Sequence, residues 1–451
     1  MISRRPLSRR TSPAVASPKM TIIVMTYNHA PFIKEALDSV LMQETSFECE
    51  VIVIDDCSTD GTSDIVRAYQ KAHPHQIRMV LAEVNRCDNA EFMKAVQACR
   101  GEYLALLDGD DYWTSPDKLQ RQAEYLDRHP ECAISFHNVR IISDDANQAP
   151  RESLPSHREA FSTLEDLLEG CFVSTCAAVL RRDALTGFPS WYTNDDCPDW
   201  SLFVMAAQHG RLGYLKDVMA VYRQHSGGFW TGLRRREQSD RIIQFYENLC
   251  GYLPGEYAPK VRVMLARQCY DVAVEEQQAG NRDAARRYME KCLRAEPDVR
   301  RVKWSLRAAG GSIAALVCLP GDGDGVRIQI ERAASRAGFD VQLNQPYLSV
   351  KVDERYSVRF RARADALRSI FVGFAQAQEP WMGLGLYERV ELSREWQPFQ
   401  VEFVAAADEG NGRIHFDLGE SAVSVELTSV SVRRVADDEP IDPRLLLHAG
   451  S

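Results

Sequence analysis

Tyr103-Leu-Ala-Leu-Leu-Asp-Gly-Asp-Asp-Tyr-Trp113 is the stretch on which the fold turns. Tyr103 to Leu107 is an apolar run of strand length, and three carboxylates follow it at once. Asp108, Asp110 and Asp111 repel one another unless a cation sits among them, so a hard divalent ion, Mn²⁺ or Mg²⁺, with positions left for phosphate oxygens is the natural resolution. A second Asp-Gly-Asp, Asp322 to Asp324, follows no strand and lies among glycines, where a plain turn is the reading.

Upstream, apolar runs alternate with helical periods. Thr21 to Met25, Val51 to Ile54 and Ile77 to Leu81 read as strands; Pro31 to Gln43, Thr62 to Gln70 and Ala90 to Cys99 read as helices. That alternation predicts an α/β fold with a doubly wound, mostly parallel sheet, whose ligands gather at the carboxyl ends of the strands. Asp55-Asp-Cys-Ser-Thr-Asp-Gly-Thr62 falls at one such end, where a carboxylate can accept hydrogen bonds from a nucleobase imide or a ribose hydroxyl. The alternative is a turn, with Asp60 or Thr62 capping the next helix. Asp199, before a helical pattern over Leu202 to His209, has apolar neighbours that would raise its pKa toward that of a working base; a capping role is the alternative. Tyr222-Arg-Gln-His-Ser-Gly-Gly-Phe-Trp230 joins hydrogen-bonding side chains to glycines that let backbone approach a diphosphate, with His225 the phosphate-contacting candidate.

A length of 451 residues implies roughly three domains. The formal charge of −10 argues against a partner held by phosphate neutralisation, so no nucleic acid is expected. No apolar run approaches the roughly 20 residues of a bilayer crossing, and Ile313 to Leu319 is far too short. Residues 1–19 carry arginines but no apolar core, so they read as a disordered basic tail, either solvated or weakly drawn to an anionic membrane surface. The twelve cysteines lack Cys-x-x-Cys spacing and end at Cys318, a pattern of buried free thiols in a reducing cytoplasm. A cytoplasmic protein is expected, with peripheral attachment to the inner membrane face left open.

Residues 20–235 form the α/β domain in this reading. Residues 236–318 are mostly helical, and Val263 to Pro297 has the spacing of a single tetratricopeptide-type hairpin, a packing bridge that is also a place for self-association. Residues 319–325 read as a glycine-rich linker. Beyond it the period becomes two: Val358, Phe360 and Ala362 alternate with Arg359, Arg361 and Arg363, which predicts an antiparallel β-sandwich over 326–435 and a polar tail over 436–451.

Taken together, Thr21-Ile-Ile-Val-Met-Thr-Tyr-Asn28, the block from Asp55, the block from Asp108, Asp199-Trp200 and Tyr222-Arg-Gln-His225 resemble the family 2 glycosyltransferases of the GT-A fold. The resemblance covers roughly Met20 to Trp230. It implies an inverting transfer from a nucleotide diphosphate sugar, UDP-linked by preference, to a hydroxyl of a glycan or lipid-linked glycan in polysaccharide or surface-glycan assembly. It also implies that Thr26 and Tyr27 line the nucleotide pocket, that Asp55 and Asp56 hold base and ribose, and that Asn28, Asn85, Gly109 and Trp230 join them. Asp110 would bind the metal with Asp108 and Asp111 in support, Asp199 would be the base, and His225 would close on the diphosphate. Pro198 stands where the family's base motif commonly has Glu. The sandwich resembles jelly-roll carbohydrate-binding modules, with Trp381 and Tyr387 as glycan-stacking candidates; the alternative for these and Trp396 is core packing. Two further readings compete. A nucleotidyltransferase would need a glycine-rich basic loop where Thr26-Tyr-Asn-His29 stands, and a noncatalytic glycan-binding scaffold leaves the acids without a purpose.

Overall fold

The computed structural model describes residues 17–145, 148–155, 158–297, 304–308, 312–319, 325–333, 338–377 and 381–435. The basic tail up to residue 16, Asp322, Asp324 and the tail over 436–451 lie outside the described residues. The chain divides into two compact units, 1–248 and 249–451.

In the first unit the order is β1 (Met20–Thr26), α1 (Ile33–Leu41), β2 (Cys49–Asp55), α2 (Thr62–Ala72), β3 (Ile77–Leu81), α3 (Ala90–Ala98) and β4 (Tyr103–Asp108). There follow β5 (Tyr112–Trp113), α4 (Lys118–Arg128), β6 (Cys132–Ser143), β7 (Arg151–Glu152), β8 (Phe161–Ser162), α5 (Leu164–Glu169) and β9 (Val179–Arg181). The unit closes with α6 (Pro198–Ala207), β10 (Arg211–Gln224) and α7 (Arg235–Leu249). The sheet runs β3-β2-β1-β4-β9-β6-β10-β5, and β1 to β4 are parallel. β9 enters antiparallel between β4 and β6, so the sheet is mixed and mostly parallel, the GT-A arrangement.

Order reverses at β1, which pairs with β2 on one side and β4 on the other. That is a topological switch point, where the loops diverge and leave a crevice at the carboxyl ends. Register fixes its rim: Thr26 lies opposite Asp55, and Met25 opposite Asp108. The strands are apolar on both faces because helices cover both; Ile22, Val24, Val51, Val53, Ala105 and Leu107 share one core with Ile33, Leu37 and Val66.

The second unit holds a helical hairpin, α8 (Ala258–Gln278) and α9 (Arg282–Ala295), and a β-sandwich. Its strands are β11 (Ser305–Ala308), β12 (Ile313–Cys318), β13 (Val326–Arg332), β14 (Val341–Val350) and β15 (Arg355–Ala364), then β16 (Arg368–Gln376), β17 (Gly383–Leu392), β18 (Gln397–Val404), β19 (Glu409–Asp417) and β20 (Val425–Arg434). They form two antiparallel five-stranded sheets, β11-β14-β19-β16-β17 and β12-β13-β20-β15-β18, which enclose a core including Trp304, Val358, Phe360, Phe374 and Phe416.

The sandwich begins earlier than the two-residue period suggests. Ser305 to Ala308 and Ile313 to Cys318 are already strands, and Cys318 pairs with Val326, so the glycine-rich segment over 319–325 joins two hydrogen-bonded strands and does not separate domains. The apolar run at Ile313 hides its alternation because Ala314, Ala315 and Val317 are all apolar. None of the twelve cysteines is joined in a disulfide, but Cys87, Cys171 and Cys250 are exposed where buried thiols were expected. Among the described residues no helix is long and apolar enough to cross a membrane.

Phe416 is fully buried between the sheets, against Phe360 at 5.2 Å and Trp304 at 6.2 Å. Phe416→Ala should cost about 3–5 kcal/mol of stability in this unit, read as a lower urea midpoint for its unfolding transition.

Candidate active site

Three loops meet at the switch point. Asn28 takes a left-handed φ of 54°, and its side-chain oxygen accepts the Thr59 N–H at 2.9 Å while its own N–H donates to Ser58 Oγ at 2.9 Å. Asp60 ties the same loops, accepting from the Ala30 N–H at 2.9 Å and from the Thr62 N–H at 3.0 Å. Gly61, with φ of 100°, is the residue that caps α2, so neither Asp60 nor Thr62 takes that position.

Asp55 is fully buried, and its carboxylate accepts from the Ser58 N–H at 3.0 Å, from Ser58 Oγ and from Ser63 Oγ. With its oxygens engaged by Ser58 of the following loop and by Ser63 of α2, Asp55 braces the edge of the crevice. Asp56 is half-buried, with no hydrogen bond to its carboxylate among the described residues, and burial together with Asp88 raises its pKa. Tyr27 stands exposed beside these loops. Asn85 accepts the Cys87 N–H at 2.9 Å in the loop after β3. Trp230 is half-buried, and its carbonyl receives the Gln238 amide at 3.0 Å.

The acids after β4 diverge. Asp111 turns inward and accepts the Arg223 backbone N–H at 2.9 Å, with the Cys176 thiol beside it; burial raises its pKa well above the ordinary value. Burial first, and then the nearby Asp199 carboxylate, raise the Asp108 pKa well above its ordinary value, with the Thr175 hydroxyl close by opposing the rise. Asp110 alone meets imidazoles: its Oδ2 lies 3.0 Å from His225 Nε2 and 3.6 Å from His29 Nε2. Gly109 allows this packing, since a Cβ there would stand 2.7 Å from Thr26 Oγ1 and 2.9 Å from His29 Nδ1. Thr26 Oγ1 and His29 Nδ1 are buried without hydrogen-bond partners.

The three carboxylates therefore form no cage of the kind expected, and among the described residues no three acid, histidine or cysteine side chains are placed to hold a metal. The physical reason is that Arg223 and Cys176 hold Asp111 inward while Asp110 turns to His225. A carboxylate oxygen beside an imidazole nitrogen still suits Mn²⁺ or Mg²⁺, ions that take few protein ligands and complete their shell with phosphate oxygens.

Asp199 sits in the first turn of α6, behind Pro198 and beyond the N-cap Cys197, where the helix dipole favours a carboxylate. The helix starts four residues before the pattern at Leu202 because Pro198 supplies its first turn. Trp200 anchors this turn by stacking on Phe245 at 4.2 Å and donating to the Leu167 carbonyl at 2.8 Å. Burial raises the Asp199 pKa, and a hydrogen bond from Thr175 Oγ1 opposes the rise. Thr175 thus links Asp108 to Asp199 from a 3₁₀ turn, Thr175–Ala177, that carries no motif. Arg223 stands in the Tyr222 block, but the motif gives it no partners: it donates to the Asp110 carbonyl at 2.6 Å and to Glu35, and stacks over Tyr112 at 4.6 Å. His225 rests against Phe32 with ring centres 5.0 Å apart.

Trp381 and Tyr387 are 48% and 57% exposed, so neither is a core residue. Trp396 is half-buried beneath Arg363, 5.0 Å from its ring.

Residues 21–187 match the family described as Glycosyl transferase family 2. An uncharacterized protein of Mycobacterium tuberculosis (strain ATCC 25618 / H37Rv) is 42% identical over 217 residues, which are 47% of this chain and 60% of that protein. The protein provisionally named teichuronic acid biosynthesis glycosyltransferase TuaG, from Bacillus subtilis (strain 168), is 31% identical over 46% of this chain and 79% of its own length. Of solved structures, the mannosyltransferase PcManGT from Pyrobaculum calidifontis, in complex with GDP-Man and Mn²⁺, covers 63% of this chain and 76% of its own at 22% identity and a TM-score of 0.41. The chain belongs to glycosyl transferase family 2. It spans 60% of the length of the mycobacterial relative.

A carboxylate acts as a base only above its pKa, and that of Asp199 is raised, so activity should fall on acidification at a higher pH than for an ordinary aspartate. Thr175→Val removes the hydrogen bond that favours the ionised form. The acidic limb of kcat/KM against pH should then move upward; an unmoved limb separates Asp199 from that titration.

Proposed function

We propose that this protein transfers a sugar from a nucleotide diphosphate sugar to a hydroxyl of a glycan or lipid-linked glycan, with inversion and with help from a divalent ion. One observation carries the reading: the Asp110–His225 pair and the Asp199–Thr175–Asp108 chain open on the same carboxyl end of the sheet, at its switch point. UDP is the favoured carrier. Tyr27 offers a face for the base and Asp56 an unengaged carboxylate for imide or ribose donors. The name of the Bacillus relative supports an acceptor in polysaccharide or surface-glycan assembly.

Asp110 and His225 would hold Mn²⁺ or Mg²⁺, with Asp108 and Asp111 shaping the site from behind. When bound, the cation offsets charge on the departing diphosphate. Arg223 keeps Asp110 in place through its backbone carbonyl, and His225 swings with the loop that begins after β10. Asp199, ionised and held by Thr175, accepts the proton of the acceptor hydroxyl as that oxygen attacks the anomeric carbon from the face opposite the diphosphate. Trp200 fixes the base by burying the turn that carries it. We infer as well that the sandwich binds glycan through Trp381 and Tyr387, exposed aromatic faces suited to stacking on sugar rings.

Asp199→Asn should lower turnover by roughly 10²–10⁴ with donor affinity nearly unchanged. Asp110→Asn should lower turnover on the order of 10²–10³ and weaken donor binding with it. Measured with Mn²⁺ and the cognate UDP-sugar, wild-type turnover in both variants would refute the assignment; stabilisation by UDP and Mn²⁺ without transfer to any acceptor would favour a scaffold.

A further inference from the structure

The outward face of the sheet β11-β14-β19-β16-β17 is polar, yet much of it is shielded from water. Along β19, Ile414, Phe416 and Leu418 point into the core, so Arg413, His415 and Asp417 point away from it. Gln342 lies opposite Asp417 and Arg307 opposite Gln342, while His415, Gly373 and Tyr387 form one cross-strand row. Ordinary outward residues of a sandwich are solvated, but Gln342, His415 and Asp417 are less than a tenth exposed.

These groups hold one another in place. Asp417 accepts from the Gln342 amide at 2.6 Å and from the Tyr387 hydroxyl at 2.9 Å, and lies 3.1 Å from His415 Nδ1. Tyr387 stacks on Phe371 at 5.0 Å with 10° between the rings. Gly373 leaves room between His415 and Tyr387, because a Cβ there would sit 2.4 Å from the His415 ring. The result is a pre-set polar floor with two exposed aromatic rings, Trp381 and Tyr387, above it.

The charge on this face is unbalanced. Asp417 is matched within its own network, but Arg413 and Arg307 form no ion pair among the described residues. Arg413 donates through Nη1 to the neutral Gln342 at 3.0 Å and Asn344 at 2.7 Å, and its guanidinium lies 4.9 Å from the Trp381 ring centre. Asp417 attracts Arg413 without forming an ion pair with it, and Arg307, two strands away on β11, repels it. Two guanidinium groups near one another, neither paired with a carboxylate, form a receptor for an anion, and the planar fork of arginine matches a carboxylate.

We propose that this face binds glycans that carry carboxylates, hexuronate-containing chains, with Trp381 and Tyr387 stacking on the rings and Arg413 and Arg307 contacting the acid. The inference rests on the reading that the sandwich binds glycan and adds the class of sugar. It is tested on the full chain by calorimetric titration with tetramers of galacturonate, glucuronate and mannuronate, each beside its carboxyl-reduced neutral counterpart. At least one uronate should bind tenfold or more tightly than its reduced form, and Arg413→Gln should erase that preference while the reduced form binds as before. Arg307→Gln, on an exposed residue, should reduce the same preference in a chain whose melting is unchanged. Equal binding of uronate and reduced forms overturns the acid selectivity while sparing glycan binding. Failure of every tetramer to bind overturns both.

Discussion

Negative charge gathered at the carboxyl end of β4 has to be stabilised in a space that excludes most water, and the rest of the first unit is arranged around that constraint. Desolvation disfavours the ionised forms of Asp108, Asp111 and Asp199 alike. The acids of this end of the sheet are held in different ways. Asp111 receives a backbone N–H, Asp199 a hydroxyl and a helix N-terminus, and Asp110 two imidazoles. In the proposed reaction, this separation would let one acid act on a proton while another faces a cation and phosphate, which a single shared cage would prevent.

Their support comes from elements far apart in sequence. Arg223 reaches Asp110 and Asp111 from β10, Thr175 reaches Asp108 and Asp199 from a 3₁₀ turn, and Phe32 braces His225 from the loop after β1. Gly109 is the point of closest approach among them, where any side chain would meet Thr26 and His29. The switch-point topology makes this convergence possible, because β1 and β4 are adjacent while the loops that follow them part.

Much of this architecture was legible in the residues themselves. Apolar runs ending in acids marked β2 and β4, and the alternation of strand and helix implied their parallel pairing. Period-two patterning marked the sandwich, though not β12, where apolar residues occupy both faces, nor β11, which is only four residues long. The site was legible as a set of acids but not as a division of labour. A motif shows that Asp55 follows a strand; it does not show that Ser58 and Ser63 will engage it. Thr175 was hidden for the same reason, and Arg223, though inside a quoted motif, showed none of its partners, since these lie more than twenty residues away. On the sandwich, exposure of Trp381 and Tyr387 was undecidable from sequence because aromatics serve cores and platforms equally.

In the reaction proposed above, Asp110 and His225 hold a divalent ion against the diphosphate of the donor. Titration of Mn²⁺ into the protein, followed by its electron paramagnetic resonance signal with and without UDP, tests it most directly. Weak binding alone, binding at least tenfold tighter with UDP, and loss of that gain in Asp110→Asn are the expected results. Mn²⁺ affinity indifferent to UDP, or unchanged by the substitution, would contradict that role.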